Sequence, residues 1–248
     1  MNKKLVLAFS GGADSTVLLY MAAAQGYLEI HTVSFDYGQR HHRELGCVNI
    51  QLENIREKYP NVKFTNKVLD VSYLKDISPT SSLTNLDIDN PDISKIAGDA
   101  QPISYVPFRN QMFITICCAY AESLKADTVW YGAAQVDSLA GYWDGSQEFV
   151  DSVNSLVSLN RQHRINVGAP LLSMSKADIV RQGVELGVNF KDTWTCYSNR
   201  GDGLADATTP SSSLRLAGFI ESGYKDPIEY LQQEKLNEIY EAKGCYIP

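Results

Sequence analysis

Apolar positions along the chain fall into short blocks separated by segments of helical spacing. Residues 5–9 (Leu-Val-Leu-Ala-Phe) are a continuous apolar run, the pattern of a strand buried on both faces. Residues 15–25 then carry Val17, Leu18, Met21 and Ala22 at helical spacing and stop at Gly26. Residues 30–35 read as a second strand and residues 43–59 as a polar amphipathic helix closed by Pro60. Residues 63–71 read as a third strand. This β-α-β-α-β order predicts an α/β fold: a doubly wound parallel sheet with helices on both faces.

Residues 75–104 differ in texture, being rich in Asp, Asn, Ser and Pro with little periodicity. A stretch of that length inside a compact domain is expected to be a functional lid or a disordered loop. Beyond it come an apolar helix at 113–124, a strand at 128–132, a helix at 148–159, an extended segment at 165–171 and a helix at 176–186 ending at Gly187. Residues 198–213 read as a Gly-, Asp-, Thr- and Ser-rich loop, and residues 227–242 as a C-terminal helix. No internal repeat is visible. The expected organisation is a main domain at 1–195 and a loop-and-helix region at 196–248.

Composition narrows the class. With 44% hydrophobic residues in 248, the chain can bury a real core. A net charge of −7 argues against broad capture of nucleic acid or an anionic membrane, so no direct nucleic-acid binding is expected. No run of about 18 apolar residues is present, and the first apolar run is too short for a secretory signal; a cytoplasmic protein without a membrane span is expected. The five cysteines (Cys47, Cys117, Cys118, Cys196 and Cys245) are scattered and odd in number, which predicts reduced, buried thiols rather than a disulfide framework.

The strongest chemical signal follows the first strand: Ser10-Gly11-Gly12-Ala13-Asp14-Ser15, then a helix. Two glycines let the backbone turn tightly and approach an anion without a Cβ in the way. Ser10, Ser15 and the N–H groups of the first helical turn are placed to donate to phosphate oxygens. Asp14 makes sense either as a Mg²⁺ ligand or as the partner of a cationic side chain. The pattern lacks the Lys-Ser/Thr of a Walker loop. It is similar to the PP-loop of the N-type ATP pyrophosphatases, which implies an adenine nucleotide alpha hydrolase-like (Rossmann-like) fold. It also implies cleavage of ATP between the α and β phosphates.

Further segments refine the resemblance: Phe35-Asp36-Tyr37-Gly38-Gln39-Arg40-His41, Ser81-Ser82-Leu83-Thr84, Val106-Pro107-Phe108-Arg109-Asn110, Gly141-Tyr142-Trp143-Asp144, Ala169-Pro170-Leu171-Leu172, Ser175-Lys176-Ala177-Asp178 and Trp194-Thr195-Cys196-Tyr197. In this order they resemble the QueC family of 7-cyano-7-deazaguanine (preQ0) synthases over nearly the whole chain. The resemblance implies adenylation of 7-carboxy-7-deazaguanine with ATP, followed by attack of a nitrogen nucleophile to give an amide and then a nitrile. It also implies a homodimer, for which an exposed apolar face on the C-terminal helix would be suited.

Individual residues can be weighed against that chemistry. Arg40 and Arg109 can hold phosphate or a carboxylate through a two-pronged guanidinium, or form ordinary surface ion pairs. Lys176 can reach ATP phosphates or be a solvated lysine. His41 can orient a phosphate or shuttle a proton, or simply face solvent. Asn110 stands beside Arg109 at the helix start. Asp137, Asp144 and Glu148 can accept from the N–H edge of a guanine-like ring, or cap helices. Tyr37 and Trp143 can stack on that ring, or belong to the core.

Two departures from the family stand out. Four cysteines usually hold a structural zinc near the C-terminus; here only Cys196 matches, and the other positions fall at about Asp206, Thr209 and Ser212. Hydroxyls bind zinc weakly, so no structural zinc is expected. The segment after Tyr142 also lacks the family's Cys and Arg. Three readings therefore stand open: a deazaguanine ligase ending at amide or nitrile; a similar enzyme joining the acyl group to a protein or other macromolecular amine, as implied by relatives in phage and anti-phage systems; and a non-catalytic nucleotide-binding module. The intact loop, Arg109-Asn110 and Lys176 argue against the last.

Overall fold

The structure is a computed structural model describing residues 3–37, 42–85, 87–88, 103–139, 142–196 and 203–248; for 42–45, 138 and 139 the backbone alone is described. The elements in order are β1 (Lys4–Ala8), α1 (Ala13–Ala24), β2 (Glu29–Asp36), α2 (His42–Lys58), β3 (Lys63–Asp70), α3 (Leu74–Ile77), α4 (Arg109–Leu124), β4 (Thr128–Trp130), α5 (Gln135–Leu139), α6 (Gln147–Val157), β5 (Asn166–Gly168), α7 (Lys176–Glu185), α8 (Pro210–Ser222) and α9 (Gln233–Lys243). No helix among the described residues is long and apolar enough to cross a membrane.

The five strands form one parallel sheet in the order β3-β2-β1-β4-β5. The chain leaves β1 for β2 and β3, then returns to the other side of β1 as β4. That reversal opens a crevice beyond the carboxyl ends of β1 and β4, where open α/β sheets bind ligands. The pleat divides the core. Leu5 and Leu7 of β1 face one cluster with α1, α2, α7 and α8, while Val6 faces the other with α4 and α6. Helix α1 is apolar nearly all round because it lies between the sheet and α7; Val17, Leu18 and Leu19 are wholly buried.

The C-terminal region departs from the sequence expectation. The expected loop at 198–213 ends early, and its residues 198–202 lie outside the described residues: α8 starts at Pro210, which sits in its first turn. The last helix begins at Gln233, six residues later than expected. Its apolar face is not exposed, since Leu236 and Tyr240 are buried against Trp194, Cys196, Leu216 and Tyr230. That face is therefore closed within the chain and is not a surface for a second copy. Periodicity missed α8 because its apolar residues are diluted by Ser, Gly and Arg.

A buried ion pair ties this region to the main domain. Arg215 of α8 donates through Nε and Nη2 to both carboxylate oxygens of Asp226, at 2.7 and 2.9 Å. Its Nη1 donates to Thr193 Oγ1 at 2.8 Å and Nη2 to the Phe190 carbonyl at 3.1 Å. Tyr230 Oη donates to Asp226 at 2.8 Å. Every strong donor and acceptor is satisfied, so removing one partner is expected to cost roughly 3–5 kcal/mol. Helix α8 also lies tight on α7: a Cβ on Gly218 would come within 2.7 Å of Lys176 Cβ and 3.0 Å of its carbonyl carbon.

Cys196 and the residues at 206, 209 and 212 do come together. Cys196 Sγ accepts the Asp206 N–H at 3.3 Å and lies 3.9 Å from Thr209 Oγ1, which is 2.8 Å from Ser212 Oγ. Asp206 Oδ1 accepts from Thr208 and from Gln232 Nε2 at 3.1 Å. One thiol, one engaged carboxylate and two hydroxyls do not make a zinc site. A hydrogen-bonded web closes the loop instead.

Two outcomes follow from this packing. Glycine to alanine inside a helix ordinarily stabilises by up to about 1 kcal/mol. Gly218→Ala is expected to do the opposite, losing roughly 1–3 kcal/mol because the backbone of Lys176 must shift; thermal denaturation reads the sign. Elemental analysis of the purified protein is expected to find no stoichiometric zinc, with Tm unchanged by EDTA. A stoichiometric zinc would contradict the reading of the loop around Cys196.

Candidate active site

The phosphate-type loop follows β1 directly. Gly11 takes a φ of +81°, a region that side chains disfavour. Gly12 is the N-cap of α1 and offers no side-chain acceptor to the first-turn N–H groups, which leaves them directed at the crevice. The serines brace the loop from within: the Gly12 N–H donates to Ser10 Oγ at 3.2 Å, the Ser10 N–H donates to Ser15 Oγ at 3.3 Å, and Ser15 Oγ donates to the Gly12 carbonyl at 3.2 Å. A Cβ at Gly12 would meet Ser10 Oγ at 3.2 Å and the Trp194 carbonyl at 3.4 Å. Hence the segment pinned by Arg215 also backs the loop.

Lys176 opens α7, set by a reciprocal cap in which Ser175 and Asp178 exchange side-chain and backbone hydrogen bonds. Its Nζ donates to Asp14 Oδ2 in the first turn of α1. Of the two roles open for Asp14, the structure displays the cationic partner. Burial works to lower the Lys176 pKa, but the carboxylates of Asp14 and Asp137 outweigh it and raise it. Asp137, in the first turn of α5, accepts the Ala134 N–H at 2.8 Å. Burial is the main cause raising its pKa, opposed by Lys176 and the Ala134 N–H. Asp14, Asp137 and Lys176 thus share one polar centre beyond the ends of β1 and β4.

A second centre adjoins it at the start of α4. Arg109 lies over the Tyr37 ring, 5.4 Å from its centroid, with Nη1 3.4 Å from the Tyr37 hydroxyl. Its Nε donates to Asn110 Oδ1 at 3.3 Å. Buried Asp144, in the single 3-10 turn Trp143–Gly145, faces this pair. Burial raises the Asp144 pKa, while the Arg109 charge and a hydrogen bond with Asn110 lower it. The electrostatic reach of Asp144 extends to Asp137 and Tyr142, so the two centres are continuous.

Two of the expected site residues are placed as follows. Tyr37 is buried beneath Arg109 and tilted against Phe113 at 5.9 Å, so its ring face is not open to a ligand. Glu148 is exposed in the first turn of α6. Arg40 and His41 lie outside the described residues. Sequence reasoning missed Phe108, which caps α4 with a φ of +55° and an exposed ring, and Arg215, which backs the loop through Thr193. Nothing in the residue pattern marks either: one lies in a short apolar motif, the other in a helix that periodicity does not show.

Asp14 and Asp137, with the Ser10 and Ser15 hydroxyls, are hard oxygen donors of the kind that hold Mg²⁺ beside phosphates. The donor set fits that ion, although among the described residues no group of three or more His, Cys, Asp or Glu is placed to hold a metal by itself.

Comparison with known proteins places this geometry. Residues 4–223 match the family model described as "Queuosine biosynthesis protein QueC". A 7-cyano-7-deazaguanine synthase of Clostridium kluyveri is 37% identical over 92% of this chain and 98% of its own length. One from Coxiella burnetii is 36% identical with the same coverage. Among solved structures, the NMN synthetase of Francisella tularensis superposes with a TM-score of 0.50 at 16% identity, over 97% of this chain and 83% of that one, a likeness of fold. The phosphate-type loop and the polar centre around Lys176 therefore sit in a chain that belongs to the QueC family.

Proposed function

We propose that the protein is an AMP-forming ligase that adenylates the carboxylate of 7-carboxy-7-deazaguanine and transfers the acyl group to ammonia, giving the amide and then preQ0. The observation that carries this reading is the meeting of Lys176, Asp14 and the Ser10–Ser15 loop at the sheet's topological switch point. Family membership supplies the substrate class.

A carboxylate does not react with an amine at neutral pH because oxide is a poor leaving group. Attack of the carboxylate oxygen on the α-phosphorus breaks the bond to the β-phosphate, releases pyrophosphate and leaves AMP as the leaving group. Ammonia then adds to the carbonyl carbon, the bond to AMP breaks, and a proton is lost. A second adenylation, at the amide oxygen, releases a second pyrophosphate and one N–H proton to give the imidoyl adenylate; loss of AMP and the remaining N–H proton then yields the nitrile.

The chain's own residues act mainly by position and charge. The loop N–H groups and serines hold the departing pyrophosphate. Lys176 exchanges its bond with Asp14 for the phosphates and offsets the charge that builds there. Bound Mg²⁺ would supply further neutralisation from Asp14 and Asp137. Arg109 takes the substrate carboxylate, and Asp144 accepts from the ring's N–H edge.

The test is incubation with ATP, Mg²⁺, ammonia and 7-carboxy-7-deazaguanine. AMP and pyrophosphate are expected in equal amounts, with the amide or nitrile mass. AMP formed only when a protein amine replaces ammonia would shift the acceptor. Asp14→Ala and Lys176→Met are each expected to cut AMP formation by about 10²–10³-fold with the fold intact by circular dichroism. Undiminished AMP output from Asp14→Ala would remove the loop assignment.

A further inference from the structure

We propose that Phe108 and Trp143 form a preset aromatic wall, Phe108 stacking on one face of the deazaguanine ring and Trp143 closing one side of it, with Asp144 taking the ring's N–H edge; this rests on the function proposed above. The backbone supplies the first observation. Among the described residues, Phe108 and Lys125 are the non-glycine residues with positive φ. Lys125 ends α4, where left-handed backbone is common. Phe108 starts α4, where an extended residue is the rule, so helix geometry gives no reason for its conformation.

Burial gives no reason either. Phe108 is 60% exposed and Trp143 37%. A large apolar ring held out to solvent on disfavoured backbone is a pattern that clusters at ligand sites. The two rings meet edge to face, with centroids 5.3 Å apart at 63°. Trp143 is fixed on its other sides by Phe149, at 5.2 Å and 88°, and by donation of its Nε1–H to the Tyr105 hydroxyl at 2.8 Å. The same hydroxyl accepts the Phe108 N–H at 3.2 Å. Tyr105 thus clips both halves of the wall before any ligand arrives, which lowers the ordering cost of binding.

Neighbouring residues define the occupant. Phe108 precedes Arg109 and Trp143 precedes Asp144, and Asn110 links the two polar groups. In the proposed site the Asp144 carboxylate and the Arg109 guanidinium, joined through Asn110, lie within reach of a ligand on the wall. A flat heteroaromatic ring carrying N–H donors and an anionic substituent satisfies all three. Tyr37, whose face Arg109 covers, cannot serve in place of Phe108.

Intrinsic fluorescence of the full-length protein tests the wall without turnover, using 7-carboxy-7-deazaguanine as titrant. Binding is expected to quench the emission, and Trp143→Phe to remove most of that quenching. Phe108→Gly is expected to raise Kd, and KM for this substrate, about ten-fold, the scale of one base–aromatic stack. KM for ATP should stay within about two-fold of wild type. Tm should not fall, because glycine adopts this φ freely. Phe108→Tyr should restore affinity. An unchanged Kd in Phe108→Gly, or a loss confined to ATP, would overturn the proposal. Quenching without AMP formation in the wild type would count against the ligase reading and leave the wall standing; turnover without quenching would count against the wall alone.

Discussion

One ion pair joins distant parts of the chain at the carboxyl edge of the sheet: Lys176 on α7 and Asp14 on α1, 162 residues apart. The pair is largely buried, and the Asp14 and Asp137 carboxylates outweigh the burial of the Lys176 ammonium. Placement of the pair depends on much of the molecule. The glycine turn sets the entry of α1, the Ser175–Asp178 cap sets the start of α7, and Gly218 of α8 fits against the Lys176 backbone. In the function proposed above, this pair holds the Lys176 charge in readiness for phosphate.

Arg215–Asp226 has the opposite character. It is wholly buried and fully hydrogen-bonded. Its work is to fix residues 190–195, whose carbonyl at Trp194 and hydroxyl at Thr195 lie against Gly12. The C-terminal helices thus brace the loop from behind, and the web around Cys196 closes their entrance. The arrangement explains how a loop with one family-matching cysteine remains ordered where it is described.

The sequence made the frame legible because the frame is periodic. Buried parallel strands are continuous apolar runs, and the glycine-serine loop has a fixed place after the first of them. The five strands and the helices α1, α2, α4, α6 and α7 lie close to the positions that periodicity predicts. Residue type and position singled out Lys176, Asp14, Arg109 and Asn110, and the structure sets Lys176 on Asp14 and Arg109 on Asn110. Less was legible where tertiary packing decides. Helix α8 buries Ser212, Arg215 and Gly218 beside Leu216 and Phe219, so its core face is not an apolar stripe. The Tyr37 ring is covered by Arg109, whereas the Phe108 ring stands exposed on positive-φ backbone. No local pattern encodes either fact.

The central claim is that this site activates a carboxylate as its adenylate. Isotope exchange between labelled pyrophosphate and ATP, measured without ammonia, tests it most directly. The account predicts exchange that depends on 7-carboxy-7-deazaguanine and is lost in Lys176→Met. Absence of exchange at substrate concentrations that saturate binding of both ATP and 7-carboxy-7-deazaguanine would contradict it.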